Sequence, residues 1–208
     1  MMSSVLEALD NADLPALKAC LVSDRALANA PVRQDAKHQV HPIHALFDRV
    51  FDGRLTEDQA RPLFKALLEA GSDIDHRNPR NGDSLLVGAI SLSCPIMAGL
   101  LLDAGADTTP KGLFQATALH WAALMGMPEL TDRLIRKGGQ LRLRDAQYAS
   151  TPLGWAIEGW ASPPRGNRDG GAIKCARLLV EAGSMVEPQW QSSERILNDA
   201  DMRAALEL

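Results

Sequence analysis

Residues 84–89 read SLLVGA, and the same pattern returns as TALHWA at residues 117–122 and as TPLGWA at residues 151–156. The first step is 33 residues long and the second is 34. A second marker keeps the same period, because apolar runs close at Gly105 and Gly138, each 21 residues after the opening Ser or Thr. Two independent markers with one period indicate an array of repeated supersecondary units.

Two further units carry the same pair of markers with additional residues between them. One unit opens at His41 and closes at Gly71, and the last opens at Thr151 and closes at Gly183. Relative to the spacing of the other units, the insertions lie near residues 49–58 and 160–171. We expect the first insertion to lengthen a helix before Thr56 caps the next one, and the second insertion to form a loop.

Each unit also carries the start and stop signals of a helix pair. The opening Ser or Thr can accept a hydrogen bond from an amide of the first turn. Pro42 and Pro152 stand at the first helical position, where a missing N–H costs nothing. The closing glycines suit the left-handed residue that ends a helix. Each unit leaves an apolar face uncovered, so stacking of neighbouring units is expected to complete the core.

The two ends of the chain are irregular versions of the same plan. Residues 5–10 and 14–22 are predicted to form a helix pair, and helical segments are predicted between residues 192 and 206. We therefore predict one domain, residues 1–208, which consists of a partial repeat (5–35), four full repeats (36–78, 79–111, 112–145 and 146–190) and a helical cap (191–208).

These openings and endings, TPLHxAA-like and LLxxGAD-like, resemble the ankyrin repeat over about 80% of the chain. The resemblance implies an all-α solenoid of stacked helix-turn-helix units with short hairpin-like loops. The chain resembles ankyrin proteins of the stand-alone, bacterial type. The resemblance also implies that the histidine of the first helix, matched by His44 and His120, bonds backbone and ties adjacent loops. Tetratricopeptide repeats share the period, but the glycine after the second helix does not suit them.

Composition excludes several classes of function. The formal net charge is −4 and no basic tail or charge block is present, which argues against nucleic acid or an anionic membrane as a partner. Cys20, Cys94 and Cys175 are scattered and odd in number, which fits a reducing compartment better than a disulfide framework. The start lacks a secretory signal, and no apolar run reaches the ~18 residues of a membrane span. We expect a cytoplasmic monomer.

The sequence contains no recognisable set of catalytic residues. His38, His41 and His44 are spaced by threes and raise the question of a metal site. The repeat register explains His41 and His44 instead, and no Cys or carboxylate pair nearby completes a tetrahedral set. No nucleophile elbow and no phosphate-binding glycine loop is present. We therefore predict no catalytic residue, no metal and no cofactor.

A partner site is predicted on the last two full repeats. Phe114 and Tyr148 fall at matched hairpin tips, and Leu124 and Met125 stand where the pattern usually carries polar residues. Such an apolar, aromatic strip is typical of a protein interface. The alternative for Phe114 and Leu124 is inward packing. Trp121 and Trp155 also align, but at a position read as core. The full predicted partner-binding set is Phe114, Tyr148, Leu124, Met125, Trp160, Glu158, Arg80, and Arg165 and Arg168 of the second insertion.

Three hypotheses for function remain open from the sequence. The first is a protein-protein interaction module that holds a partner on its concave face and hairpin tips. The second is an immunity or inhibitor protein that blocks a toxin or enzyme, since compact ankyrin proteins with no attached domain resemble such immunity proteins. The third and least favoured is an enzyme with a site hidden in the repeats.

Overall fold

The computed structural model describes residues 4–33, 39–164 and 171–208, which form two compact units divided between Asp107 and Thr108. We call the part before this division unit 1 and the part after it unit 2. Helices dominate both units, which confirms the predicted all-α class. Among the described residues, none of the helices combines the length and the apolar character that crossing a bilayer requires.

The described part of unit 1 contains three helix pairs. Its helices are α1 (Val5–Asp10), α2 (Leu14–Ser23), α3 (Pro42–Phe51), α4 (Glu57–Glu69), α5 (Leu85–Ser91) and α6 (Pro95–Asp103). A short 3-10 helix, Arg25–Ala28, follows α2, and β1 (Val32–Arg33) then pairs antiparallel with β2 (Gln39–Val40). Neither strand was predicted from the sequence. They are only two residues long, too short for an alternating pattern to show.

The described part of unit 2 contains a short 3-10 helix, Leu113–Gln115, then two helix pairs and three short helices. The pairs are α7 (Ala118–Leu124) with α8 (Pro128–Arg136), and α9 (Pro152–Ala161) with α10 (Gly171–Glu181). The short helices are α11 (Pro188–Gln191), α12 (Glu194–Leu197) and α13 (Ala200–Ala205). The helical ending of the chain was therefore predicted correctly, whereas α11 was missed.

Helix starts follow the local chemistry that the sequence indicated. Ser84 Oγ accepts from the amide of Val87 at 3.3 Å at the start of α5, and Thr151 Oγ1 accepts from Gly154 at 3.4 Å in α9. Thr56 forms a capping box with Gln59 at the start of α4, as predicted for the first insertion. These bonds satisfy amides that have no partner inside the helix.

Helix ends follow the predicted glycines. Gly71, Gly105, Gly138 and Gly183 all have positive φ angles, between 85° and 99°, directly after the second helix of a pair. A side chain in this left-handed conformation would be strained, whereas glycine adopts it freely. The four positions thus fix where the second helices stop.

One glycine has a different role, because it allows two helices of unit 2 to approach each other. A Cβ atom built on Gly159 in α9 would lie 2.2 Å from the carbonyl oxygen of Leu124 at the end of α7. Real Cβ atoms do not come so near to a backbone oxygen, so any side chain at this position would force α7 and α9 apart. The close contact between α7 and α9 supports the site described below.

The two histidines of the predicted pattern behave differently. His120 Nε2 bonds the backbone oxygen of Leu143 at 3.1 Å, and its Nδ1 accepts from the Thr117 amide at 3.2 Å. The prediction that this histidine ties backbone segments together is therefore confirmed at His120. It is wrong for the Nε2 atom of His44, which has no hydrogen-bond partner within the described part of the chain. The His44 ring instead packs against Gly88, whose lack of a side chain leaves room for it.

An ion pair between a buried arginine and a partly exposed aspartate joins the first helix of unit 1 to the third. The Arg49 side chain in α3 is 2% exposed, and its Nε donates to Asp10 Oδ1 at 2.9 Å. Asp10, in α1, is 43% exposed, so its carboxylate is still partly hydrated. The guanidinium also donates to the backbone oxygen of Ala45. Because the charge of Arg49 is buried, it depends on these partners far more than Asp10 does.

We expect Asp10→Ala to lower the free energy of unfolding of unit 1 by about 2 kcal/mol, because a buried guanidinium would lose its counter-ion. This value lies below that of a fully buried pair, since Asp10 is partly exposed. Urea unfolding followed by circular dichroism measures it. The matched control is Asp58→Ala, which breaks an exposed pair with Arg61 and is expected to cost under about 0.5 kcal/mol. Equal losses in the two variants would contradict the prediction.

Candidate binding site

Two hairpin tips of unit 2, the first around Phe114 and the second around Tyr148, have strained backbones. Phe114 and Gln115 have φ angles of 62° and 57°, and Ala149 has a φ angle of 50°. The backbone oxygen of Phe114 accepts from the amide of Ala146 at 2.7 Å, and this bond links the first tip to the second. Residues without glycine's freedom occupy left-handed conformations at a cost of about 1 kcal/mol each, so the surrounding contacts must hold them there.

A buried carboxylate organises the second tip. Asp145 Oδ1 accepts from the amides of Gln147 at 2.8 Å and Tyr148 at 2.6 Å. Its Oδ2 accepts from the Ser150 amide and from Trp155 Nε1, each at 3.0 Å. Burial alone would raise the pKa of the Asp145 carboxyl, but these four donors stabilise the carboxylate and leave its pKa below the usual value. Asp145 therefore holds the tip loop against α9 as a charged group.

Four aromatic rings form a connected cluster beside this carboxylate. The Phe114 and Tyr148 ring centroids are 5.8 Å apart, Tyr148 and Trp155 are 6.3 Å apart, and Trp155 and Trp121 are 5.1 Å apart. The planes meet at 62° to 78°, which is the edge-to-face arrangement that aromatic pairs favour. The cluster runs from the exposed Tyr148, at 65% exposure, to the buried Trp155.

The cluster forms one wall of a recess of about 580 Å³. A volume of this size is typical of sites that bind small ligands or anchor side chains. We call it the aromatic recess, and its lining residues are Phe114, Trp121, Leu124, Tyr148, Ala149, Ser150, Gly154, Trp155, Glu158, Glu187, Gln189 and Trp190.

Two carboxylates lie in the lining of the recess, and their surroundings differ. Glu187 forms an ion pair with Arg144 at 3.1 Å and accepts from Gln189 Nε2 at 2.9 Å. Glu158 in α9 is exposed, and within the described part of the chain no hydrogen bond or ion pair engages its side chain. Glu158 is thus the carboxylate with more freedom to meet a bound group.

The structure brings together four of the residues predicted for the partner site, since Phe114, Tyr148, Leu124 and Glu158 all line the aromatic recess. Met125 is the C-cap of α7 and is only 3% exposed, so little of its side chain can meet a partner.

The remaining predicted residues lie elsewhere. The half-buried Trp160 is covered on one face by Arg195, whose guanidinium carbon lies 4.9 Å from the ring centroid. Arg80 is exposed and belongs to unit 1, where it lines a small polar pocket with Asp10 and Arg49. Arg165 and Arg168 lie outside the described residues.

Several residues of the recess were missed from the sequence. Trp121 and Trp155 were read as core, and Trp155 is indeed buried, but both also line the recess. Their recurrence 34 residues apart, where a repeat of this kind usually carries leucine, was the signal that could have identified them. Trp190 and Glu187 come from α11 and the residue before it, and no sequence signal placed them near the hairpin tips.

A separate cluster of imidazoles lies in unit 1. The rings of His41 and His76 stack with centroids 4.4 Å apart, and His44 lies 6.1 Å from His76. Burial, followed by the charge of His76, lowers the pKa of His41 to about 3 and that of His44 to about 4. Within residues 4–33, 39–164 and 171–208, no group of three potential ligands could hold a metal ion, and His38 lies outside these ranges.

Comparison with known proteins gives partial similarities. No protein-family model matches the chain. The chain is 30% identical over 93 residues to the inactive serine/threonine-protein kinase TEX14 of Mus musculus, which is 45% of this chain and 6% of that protein. It is 34% identical over 87 residues to the B-cell lymphoma 3 protein homolog of Mus musculus, which is 42% of this chain and 19% of that protein.

A bacterial relative shows similarity of the same order. The chain is 35% identical over 74 residues to Protein PhlB of Serratia liquefaciens, which is 36% of this chain and 33% of that protein. The chain thus spans a third or less of the length of each of these relatives.

Proposed function

We propose that the chain is an ankyrin-repeat protein whose function is to bind a protein partner, and that the aromatic recess of unit 2 is the binding site. The repeat assignment is supported by the recurring openings, by the four left-handed glycines and by the His120 bond to Leu143.

The observation that carries the binding proposal is the connected aromatic cluster at the surface. Tyr and Trp are enriched at the centres of protein interfaces, where they bury a large area with few rotatable bonds. Tyr148 leaves most of its side chain in solvent although its amide is fixed by Asp145. A strained loop that holds an exposed aromatic ring in place stores free energy without an evident structural benefit, and such strain is typical of binding sites.

The recess also favours binding over catalysis. Among the described residues, the titratable side chains in its lining are Tyr148, Glu158 and Glu187, and Glu187 is already paired with Arg144. A catalytic pair would need two groups close enough to pass a proton, in addition to a place for the reacting atom. Aromatic rings around a half-open recess supply contact area instead. We therefore propose a module that binds its partner without transforming it.

The test is an affinity capture from native lysate, in which wild type is compared with a Phe114→Ala/Tyr148→Ala variant. We expect the partner to be captured at least about 10-fold less by the variant, because two central aromatic contacts would be lost. Circular dichroism must show that the variant is still folded. The matched control is Met185→Ala, which removes an apolar side chain that is 68% exposed and does not line the recess.

Each outcome of this capture has a distinct meaning. A partner that is retained equally by wild type and by the Phe114→Ala/Tyr148→Ala variant would contradict the proposed site. The absence of any specific partner would contradict the proposed function. If the partner is a toxin or a hydrolase, an activity assay with added protein separates an inhibitor, which abolishes that activity, from an adaptor, which does not. Binding of a small molecule alone, seen as a rise in melting temperature, would favour an enzyme.

A further inference from the structure

The walls of the aromatic recess are suited to a positive charge. Trp121 and Trp155 meet edge to face at 78° with their centroids 5.1 Å apart, and both line the recess. Trp121 is half-buried and is the more accessible of the two, since Trp155 is only 5% exposed. Trp190 and Tyr148 add two further rings to the lining. The faces of aromatic rings carry negative potential and attract cations that come within about 6 Å of the ring centroid, most strongly in the case of tryptophan.

The carboxylate of Glu158 adds a full negative charge to the lining of the same recess. Its side chain is exposed and is not engaged by any described residue, whereas Glu187 is already neutralised by Arg144. An apolar side chain of the partner in the recess would provide no positive charge to pair with Glu158. A cation in the recess would instead be attracted by the rings and by this carboxylate at the same time.

From this arrangement we propose that the aromatic recess binds an arginine side chain of the partner protein, with the guanidinium against the accessible part of the Trp121 ring and paired with Glu158. The inference rests on the function proposed above, since it specifies the chemistry of the anchor. Arginine fits better than lysine because its guanidinium is planar, stacks on aromatic faces and is weakly hydrated. Unit 2 contains one such contact already, between Arg195 and Trp160 at 4.9 Å.

The size of the recess agrees with this anchor. A volume of about 580 Å³ admits a whole arginine side chain together with part of the adjoining backbone of the partner. Part of the recess is also pre-formed, because Asp145 fixes the backbone at Tyr148 and the indole ring of Trp155 through hydrogen bonds before anything is bound. Little ordering of the site is then required when the arginine enters, which favours binding.

The experiment uses nuclear magnetic resonance of the full chain and follows the indole N–H signals of its four tryptophans. The probe is a blocked pentapeptide with one arginine between two pairs of glycines. Its matched control replaces the arginine with citrulline, which has nearly the same shape and no charge. We expect the arginine peptide to bind with a dissociation constant of about 1–10 mM and the citrulline peptide to bind about 10-fold more weakly or not at all.

The location of the perturbed signals is part of the expected result. The signals of Trp121, Trp155 and Trp190 should shift, while that of Trp160 should change little because Arg195 already covers its ring. Each signal can be assigned from the spectrum of a single Trp→Phe variant. Shifts confined to Trp160 would overturn the proposal, since they would place the peptide outside the recess.

Variants of the carboxylate test its role. Glu158→Gln is expected to weaken binding of the arginine peptide about 3-fold, which corresponds to a partly exposed ion pair. The control Glu181→Gln changes an exposed carboxylate of α10 outside the recess and should leave the affinity unchanged. Equal binding of the arginine and citrulline peptides would overturn the proposal, and so would the absence of shifts at about 10 mM peptide.

The two proposals can fail separately. If the captured partner is lost with the Phe114→Ala/Tyr148→Ala variant while the arginine peptide gives no shifts, the recess is a protein-binding site with a different anchor. If the arginine peptide shifts the recess signals while capture from lysate is unaffected by the variant, the cation site is real and the partner binds elsewhere.

Discussion

Asp145→Ala is expected to lower the free energy of unfolding of unit 2 by about 4 kcal/mol. The carboxylate accepts four hydrogen bonds, and three of their donors are backbone amides of one short loop. Without the carboxylate, the buried N–H of Trp155 Nε1 has no hydrogen-bond acceptor, and each unpaired buried donor costs about 1–3 kcal/mol. The amides nearer the surface can donate hydrogen bonds to water instead. The total loss of stability therefore stays below the sum of four full penalties for unpaired donors. Urea unfolding followed by circular dichroism gives the value.

The matched variants for Asp145 separate charge from shape. Asp145→Asn keeps the shape but points an amide N–H₂ group toward at least one donor, so a loss of about 2–3 kcal/mol is expected. Glu181→Gln, which changes an exposed carboxylate in the same unit, should change stability by less than about 0.5 kcal/mol. If Asp145→Asn were as stable as wild type, the role given to the carboxylate would be wrong.

Loss of the Asp145 carboxylate should also weaken partner binding at the aromatic recess. The carboxylate holds the amide of Tyr148 and the indole of Trp155, and both rings belong to the aromatic cluster. At temperatures where the Asp145→Ala variant is still folded, it should therefore capture the partner as poorly as the Phe114→Ala/Tyr148→Ala variant does. Retained capture by the folded variant would show that the recess does not depend on this loop.

Unit 1 is expected to lose about 4 kcal/mol of stability between pH 7 and pH 5. His41 and His44 have folded-state pKa values of about 3 and 4, against 6.5 in the unfolded chain. The unfolded chain therefore takes up protons in this range that the folded chain does not, and stability falls as the pH falls. Each histidine that stays neutral contributes up to about 1.4 kcal/mol per pH unit once the unfolded form is fully protonated.

Burial, followed by the charge of His76, keeps His41 neutral, and its hydrogen bonds fix which ring nitrogen carries the proton. Its Nδ1 accepts from the amide of Ile43 at 3.2 Å as the N-cap of α3, so this nitrogen cannot carry a proton in the folded state. Its Nε2 lies 3.2 Å from Asn29 Oδ1 and is therefore the nitrogen that donates. A second proton would break the cap and place a charge 4.4 Å from the His76 ring.

The variant that tests this explanation is His41→Asn, because asparagine can still cap the helix but does not titrate. Denaturation midpoints of wild type and variant are compared at several pH values between 7 and 5. The variant should lose stability more slowly as the pH falls, by up to about 1 kcal/mol per pH unit. An unchanged pH dependence would mean that His41 is not one of the groups responsible.

The sequence predicted those parts of the fold that depend on chemistry within one turn of a helix. Ser84, Thr151 and the closing glycines act on amides and backbone angles a few residues away, so their pattern could be read directly. The two-residue strands β1 and β2 depend on a pairing between separate segments, Val32 with Val40, that leaves no periodic signal. The short helix α11 also gives too few residues for a pattern.

The candidate site was only half predictable for a related reason. Phe114 and Tyr148 could be recognised because they occupy matched positions in two repeats. Trp155 was read as a core residue, which was correct but incomplete, since one side of a buried ring can still line a recess. Trp190 reaches the recess only because the segment after α10 folds back onto it, and the bonds of Asp145 depend on a loop geometry that the sequence does not reveal.

The distribution of the aromatic residues has an optical consequence. All four tryptophans and the single tyrosine fall after residue 108, so absorption at 280 nm and tryptophan emission come from unit 2 alone. Unit 1 contributes helical circular dichroism but is silent in tryptophan fluorescence. Recording both signals in one denaturation experiment thus reports the whole chain and one half of it separately. Coincident transitions would mean that the two halves unfold as one cooperative system, and separated transitions would give each half its own stability without any label or truncation.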